Sequence, residues 1–277
     1  MTTIVSKFVK NEDVKNISEF NFTKLEDDVV VYEVIRIIDG KVLFFEDHIE
    51  RFLKSLKQLS INNAFSGDNL RQQLALLISS NQIPIGNIRF QFIYNTGTKA
   101  GDFMAYFIPH SYPTEEMNRK GVSVGIIQAQ RKTPNAKIQH SNLIEEVNQA
   151  LEKEKVYEVI LVHPQGYVTE GSRSNLFMIK NNQVFTSPIK DILPGITRKY
   201  IIQICNSLNL DFYEKRVDRN ELLTMDALFI SGTSPKVLPI RNIYDEQFNV
   251  NHPILKSIIT EFDNVISRYL ETSPKIL

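Results

Sequence analysis

Three short stretches of this chain gather polar groups between apolar runs, and the last two of them suit the capture of an anion. In VTEGSRSNLF (Val168–Phe177), one carboxylate, Glu170, is followed by Gly171, Ser172, Arg173, Ser174 and Asn175, with strand-forming residues on both sides. An acid among small hydroxyl and amide side chains reads either as a surface turn or as the floor of a ligand site. In LPGITRKYIIQIC (Leu193–Cys205), a Pro-Gly pair stands just before an amphipathic pattern of Ile201, Ile204, Cys205 and Leu208. The amides of Ile196 and Thr197 then point out of a helix start. That is a natural phosphate seat, backed by the helix dipole and the Thr197 hydroxyl. A plain helix cap is the alternative. In FISGTSPKVLP, Ser231, Gly232, Thr233 and Ser234 end a strand and read as a second anion nest or as an ordinary turn. DHIERF sets His48 and Arg51 one helical turn apart, which by itself describes only a solvated face.

Other reactive signatures are absent. There is no HExxH, CxxC, GxxxxGK[ST] or GxGxxG. GSRSN is not a nucleophile elbow, because no glycine lies two residues after either serine. The five histidines are scattered, so no metal site is expected. Lys+Arg and Asp+Glu are both 32, and this zero net charge argues against a nucleic-acid or anionic-membrane binder. A bound anion must be held by a local cluster instead. The single cysteine, Cys205, rules out an internal disulfide and fits a reducing, cytoplasmic compartment. MTTIVSKFVKNEDVKN lacks the apolar core of a signal peptide. No apolar run approaches the ~20 residues that cross a bilayer.

The elements that must position these groups read as α+β. VVVYEVIRIIDGKVLFF is two strand-like runs joined by Asp39-Gly40, a hairpin signal because both residues tolerate positive φ. A helix is expected from about Glu46, with Ile49, Phe52, Leu53, Leu56 and Leu59 as its stripe, and a second one capped by Asp68 with Leu70, Leu74 and Leu77 on one face. NIRFQFIYN and DFMAYFIP read as strands. PHSYPTEEMNRKG is polar with two prolines, the best candidate for a linker. The expected division is a small N-terminal α/β domain over 1–112, a linker over 113–120 and a larger domain over 121–277. In the latter, VSVGIIQAQ opens a set of strands (YEVILV, LFMIK, QVFTS, DFYEKRV, ALFIS). Asn142 with Glu145 suggests a capping box. Asn181-Asn182 suggests a tight turn, and helices are expected after Ile196-Thr197, Asp218 and Pro253.

Each chemical signal is weak alone, but their order is specific. HxxR, a lysine, TEG with SN, LPGITR and SGTS, in that sequence, resemble the class IV aminotransferases, the fold-type-IV pyridoxal 5'-phosphate (PLP) enzymes. That family includes branched-chain and D-amino-acid aminotransferases and 4-amino-4-deoxychorismate lyase. The resemblance runs from about Val30 to Phe248. It implies two α/β domains with PLP at their junction, a homodimer, and amino-acid and 2-oxo-acid substrates. By the same resemblance, Arg51, Ile196, Thr197 and Thr233 hold the PLP phosphate, Leu193 packs on the ring and Glu170 pairs with the ring nitrogen. Lys137, in PNAKIQHSN and 33 residues before Glu170, matches the Schiff-base lysine. Arg173 and Ser174 fall beside the cofactor. Arg173 stands where a small residue is usual, and reads either as a substrate-carboxylate ligand or as a side chain turned to solvent. The flank of Lys137 departs from the family pattern, with His140 third and Asn142 fifth after it. Tyr32, Arg36, Arg89, Tyr94 and Ser234 are the substrate-side candidates. The activity implied is transfer of an amino group between a small or branched-chain amino acid and a 2-oxo acid. An aminodeoxychorismate lyase or a D-amino-acid aminotransferase would share the same machinery.

Overall fold

In a computed structural model of the chain, residues 6–23, 25–61, 65–139 and 141–273 are described; His140 lies outside them. The backbone divides into two compact units. One comprises Met1–His110, Ala136–Gln139 and Arg268–Leu277, the other Ser111–Asn135 and His140–Ser267.

The first unit is built on a six-stranded sheet. Its strands are β1 (Lys7–Lys10), β2 (Asp13–Asn16), β3 (Asp28–Ile38) and β4 (Lys41–Val42). After two helices, α1 (Phe45–Gln58) and α2 (Gly67–Asn81), come β5 (Gly86–Asn95) and β6 (Gly101–Ile108). The order is β2-β1-β6-β5-β3-β4, and the neighbours are antiparallel. Asp39 and Gly40 make the β3–β4 turn, both at positive φ, as their residue types predict. The β1–β2 hairpin turns on Asn11 and Glu12, also at positive φ, and carries no comparable sequence signal. Side chains alternate across β3 and β5. Val31, Ile35 and Ile37 meet Ile88, Phe90 and Phe92 on one face, where α1 and α2 add Phe45, Ile49, Phe52, Leu56, Leu70, Leu74 and Leu77. Phe52 and Phe90 meet edge to face, with ring centres 5.1 Å apart. Each such fully buried side chain contributes roughly 1.5–3 kcal/mol.

The second unit opens with α3 (Glu115–Lys120), so the segment expected as a linker is mostly helix, capped by Thr114. Then follow β7 (Val122–Gln128), α4 (Ser141–Glu154), β8 (Glu158–Val162), β9 (Val168–Gly171), β10 (Asn175–Lys180) and β11 (Gln183–Thr186). The remainder is α5 (Ile196–Ser207), β12 (Phe212–Glu214), α6 (Arg219–Leu222), β13 (Ala227–Gly232), β14 (Lys236–Ile243), β15 (Glu246–Gln247) and α7 (Pro253–Thr272). The nine strands run β12-β11-β10-β13-β14-β7-β8-β9, with β15 on β14. Every residue of β8 and the first five of β10 and of β13 are buried. These strands therefore read as continuous apolar runs rather than alternating ones. Asn181 and Asn182 both take positive φ in the β10–β11 turn. On α5, Ile201, Ile204 and Cys205 are buried, whereas Leu208 lies outside the stripe at 37% exposure. Two expected caps move. α4 starts at Ser141, which puts Asn142 inside its first turn. For α2 the cap is Ser66, whose hydroxyl accepts the Asn69 amide at 3.1 Å. Among the described residues, no helix is long and apolar enough to cross a membrane, and no cluster of three His, Cys, Asp or Glu side chains is placed to hold a metal ion.

Ser66→Ala should therefore lower the stability of the first unit by about 1 kcal/mol. Asp68→Ala should cost less than half as much, as read from urea-unfolding midpoints.

Candidate active site

In the first unit, Lys137 sits on backbone that extends the sheet. β4 covers only the last two residues of β3, and the segment 136–139 pairs with the open edge further along. Val31 bridges Ile138, the Tyr32 amide donates to the Lys137 carbonyl, and the Gln139 amide donates to Val30. Because Ile138 lies opposite Val31, Lys137 and Gln139 project to the face that carries Tyr32. The Lys137 Nζ is 5.0 Å from the centre of the Tyr32 ring. Arg89 lies on the same ring, its guanidinium carbon 4.2 Å from the centre. Its Nε donates to Gln91 Oε1 at 2.7 Å and its Nη2 to Gln139 Oε1. Pairing register puts Arg36 opposite Asn87 and Val34 opposite Arg89, so Arg36 shares this face. Tyr94 does not. It stands opposite Val29 and packs with Phe92 in the helix-backed core, because an odd step along β5 separates it from Arg89 and Gln91.

Arg51 and His48 are buried on that helix-backed face, not solvated. Both engage Glu33, which is fully buried in the middle of β3. Arg51 donates from Nε and Nη2 to the two carboxylate oxygens at 2.7 and 2.6 Å, and His48 Nδ1 lies 2.8 Å from Oε2. Burial opposes the Glu33 charge. The Arg51 guanidinium, its hydrogen bonds and the His48 contact outweigh it and hold the carboxyl at about 2. Burial pushes the His48 imidazole down, as do the charges of Arg51 and Lys137 against the pull of Glu33. His48 is thus neutral near pH 7 and donates its Nδ1–H to Glu33.

In the second unit, Glu170 is on strand β9, not in a turn, and is 3% exposed. Arg131 Nε donates to its Oε1 at 2.8 Å. The Leu193 amide and Asn175 Nδ2 donate to Oε2 at 3.1 and 3.3 Å. Arg131 also donates to the Ser172 carbonyl at 2.6 Å, and Asn175 Nδ2 to the Leu193 carbonyl at 2.9 Å. Asn135 fixes the approach to Leu193 by donating to the carbonyls of Ile189 and Ile192. Gly195 precedes Ile196 and Thr197 at the start of α5, which has no side-chain cap. A Cβ at Gly195 would collide with Asn175 Oδ1, so only glycine lets the helix start come this close. Opposite Asn175 in the ladder is Ser231, 1% exposed, whose Oγ has no hydrogen-bond partner among the described residues. Thr233 and Ser234 form the turn between β13 and β14. An uncapped helix start and an orphaned buried hydroxyl, both neighbours of Asn175, fit a phosphate-bearing ligand.

Two expected cofactor contacts are oriented elsewhere. Arg173 is exposed and its Nη2 donates to the Tyr157 carbonyl at 3.3 Å. The Ser174 hydroxyl donates into the second unit's interior, to Glu158 Oε2 at 3.2 Å. The residues that sequence reasoning missed are the ones that tether others, Arg131, Asn135, Gln139, Glu33 and Glu158, and the orphaned Ser231.

The sequence profile described as "Amino-transferase class IV" matches residues 30–243. D-alanine aminotransferase of Bacillus licheniformis is 32% identical over 249 residues, 85% of this chain and 87% of that protein. The branched-chain amino acid aminotransferase of Escherichia coli superposes with a TM-score of 0.83 at 22% identity over 95% of each chain. The branched-chain enzyme of T.th., complexed with N-(5'-phosphopyridoxyl)-L-glutamate, gives 0.85 at 19% identity over 99% of each chain.

Replacing Glu33 by Gln leaves Arg51 buried without its counter-charge and should cost about 3–5 kcal/mol at pH 7. The depressed carboxyl contributes fully above its ordinary value of 4.5 and nothing once pH has fallen through about 2. The gap between wild type and Glu33→Gln in urea titrations should therefore narrow steadily below pH 4.5.

Proposed function

This chain belongs to the amino-transferase class IV family, whose cofactor is PLP, and we propose that it moves an amino group between a small or branched-chain amino acid and a 2-oxo acid. One observation carries the proposal: the Lys137 amine and the Arg89 guanidinium lie over the same Tyr32 ring. The hydrogen-bond acceptors that hold Arg89 are neutral amide oxygens, so its positive charge is available to a carboxylate. A lysine amine beside a carboxylate-binding guanidinium is what an α-amino acid needs at its two polar ends.

PLP, when bound, supplies the electron sink that makes a substrate Cα–H acidic. The protein does the rest. Lys137 would hold the cofactor and, once the substrate amine has displaced it, its free Nζ would serve as the base for the substrate Cα proton. Glu170 presents a carboxylate to the ring nitrogen and favours its protonated form. The amides of Ile196 and Thr197, with Thr233 and Ser231, would hold the phosphate, a role the family resemblance also gives to Arg51, whose Nε and Nη2 donate to Glu33. Leu193 packs on the ring. Arg89 orients the substrate carboxylate against Tyr32, with Arg36 on the same face of the sheet. Ser234 lies in the turn that carries Thr233 and is assigned to the substrate side. Identity to D-alanine aminotransferase supports alanine over a branched substrate and makes the D enantiomer the first to assay. The reading extends to a cytoplasmic homodimer, the state that the family resemblance implies.

A panel of L- and D-amino acids against pyruvate and 2-oxoglutarate tests this directly. Amino transfer to a 2-oxo acid is the expected result. Release of pyruvate from aminodeoxychorismate with no amino transfer to any acceptor would replace the transferase by a lyase. Lys137→Ala should reduce turnover at least ~10³-fold. Arg89→Gln should raise KM for the amino acid by about tenfold or more with a smaller effect on kcat, the signature of lost carboxylate binding.

A further inference from the structure

Glu158 is a second buried acid beside the Glu170 strand, and the proposed reaction does not use it. It opens β8 at 2% exposure and makes no ion pair among the described residues. Three donors converge on its carboxylate instead. The Ser172 hydroxyl and the Val159 amide donate to Oε1, the latter at 3.3 Å, and the Ser174 hydroxyl donates to Oε2 at 3.2 Å. The Val159 amide can only donate, and the two hydroxyls are placed to do the same. Gly171 allows the approach, since a Cβ there would press on Ser174 and on the Glu158 carboxyl carbon. Both serines belong to the bend that links Glu170 to β10. The Ser172 carbonyl, moreover, receives the same Arg131 that pairs with Glu170.

This creates an electrostatic problem. Arg131 cancels the Glu170 charge, and a neutral pair is a poor partner for a protonated ring nitrogen. We propose that Glu158 is a positioning residue whose buried negative charge offsets Arg131, while its serine contacts hold the bend that aims Arg131 and Glu170. The three groups together then carry one net negative charge towards the ring nitrogen. This rests on the assignment of Glu170 to that nitrogen. The other charged and titratable groups nearby are Tyr157, which feels Glu158, and the exposed Arg173.

The test compares Glu158→Gln and Glu170→Gln as purified PLP-loaded proteins. Measurements are the pH titration of the cofactor's visible absorbance band, PLP retention, thermal midpoint and kcat. Glu158→Gln keeps the shape and removes the charge. The midpoint of the band should move to lower pH by about half a unit or more, and kcat should fall about tenfold, with PLP retention and thermal midpoint held. A Glu158→Gln protein with wild-type titration and kcat, beside a Glu170→Gln protein that differs, overturns the role of Glu158 alone. If Glu170→Gln leaves the band unchanged as well, the assignment of Glu170 falls too. Should Glu158→Gln not fold, Ser172→Ala serves instead. It removes the hydroxyl that ties Glu158 to the bend, so the midpoint of the cofactor band should move in the same direction. An unmoved midpoint overturns the proposal.

Discussion

A carboxylate in the interior of a strand has to be answered by its surroundings, and each unit of this protein is arranged around that requirement. Taking an ion out of water costs several kcal/mol even after relaxation. In the first unit, Glu33 is answered by Arg51 and His48, both from α1, so the ion pair fixes how that helix lies on β3. In the second, Glu170 is answered by Arg131, Asn175 and the Leu193 amide, which come from three separate stretches of chain. Meeting the needs of one buried charge thus draws together the β7–α4 connection, the start of β10 and the approach to α5. The same contacts place Gly195 and the uncapped helix start against Asn175.

This arrangement explains how much was legible beforehand. Local periodicity located most of the long strands and helices, because apolar stripes such as Ile49–Phe52–Leu56 have one stable orientation. The β1–β2 hairpin escaped because its turn, Asn11-Glu12, lacks glycine and its strands are short and half-exposed. Tyr94 packs on the helix-backed side, which the sequence does not reveal, because a two-residue period gives the alternation but not which side bears the helices. Arg173 illustrates another limit, since a bend exposes some side chains and buries their neighbours within three residues.

The tethering residues were harder to see for a physical reason. Arg131 and Asn135 act through contacts to residues 39 and more than 50 positions away, and no local pattern encodes such a meeting. One signal was present. The tetrapeptide Tyr-Glu-Val-Ile occurs at 32–35, inside β3, and again at 157–160, where its glutamate opens β8. Both glutamates are buried, at 0% and 2% exposure. An acid inside an otherwise apolar run is a statement that something across the fold will receive it.

The backbone around Lys137 has a role beyond carrying an amine. β4 leaves most of one side of β3 uncovered, and a long apolar edge of that kind is a template for pairing with another chain. Ala136–Gln139 occupies part of that edge through the bridge at Val31 and the bonds at Tyr32 and Val30. The segment that carries Lys137 thus satisfies part of an edge that would otherwise be open to strand addition. The same four residues, Ala136–Gln139, therefore carry both a candidate reactive amine and a strand's worth of edge pairing.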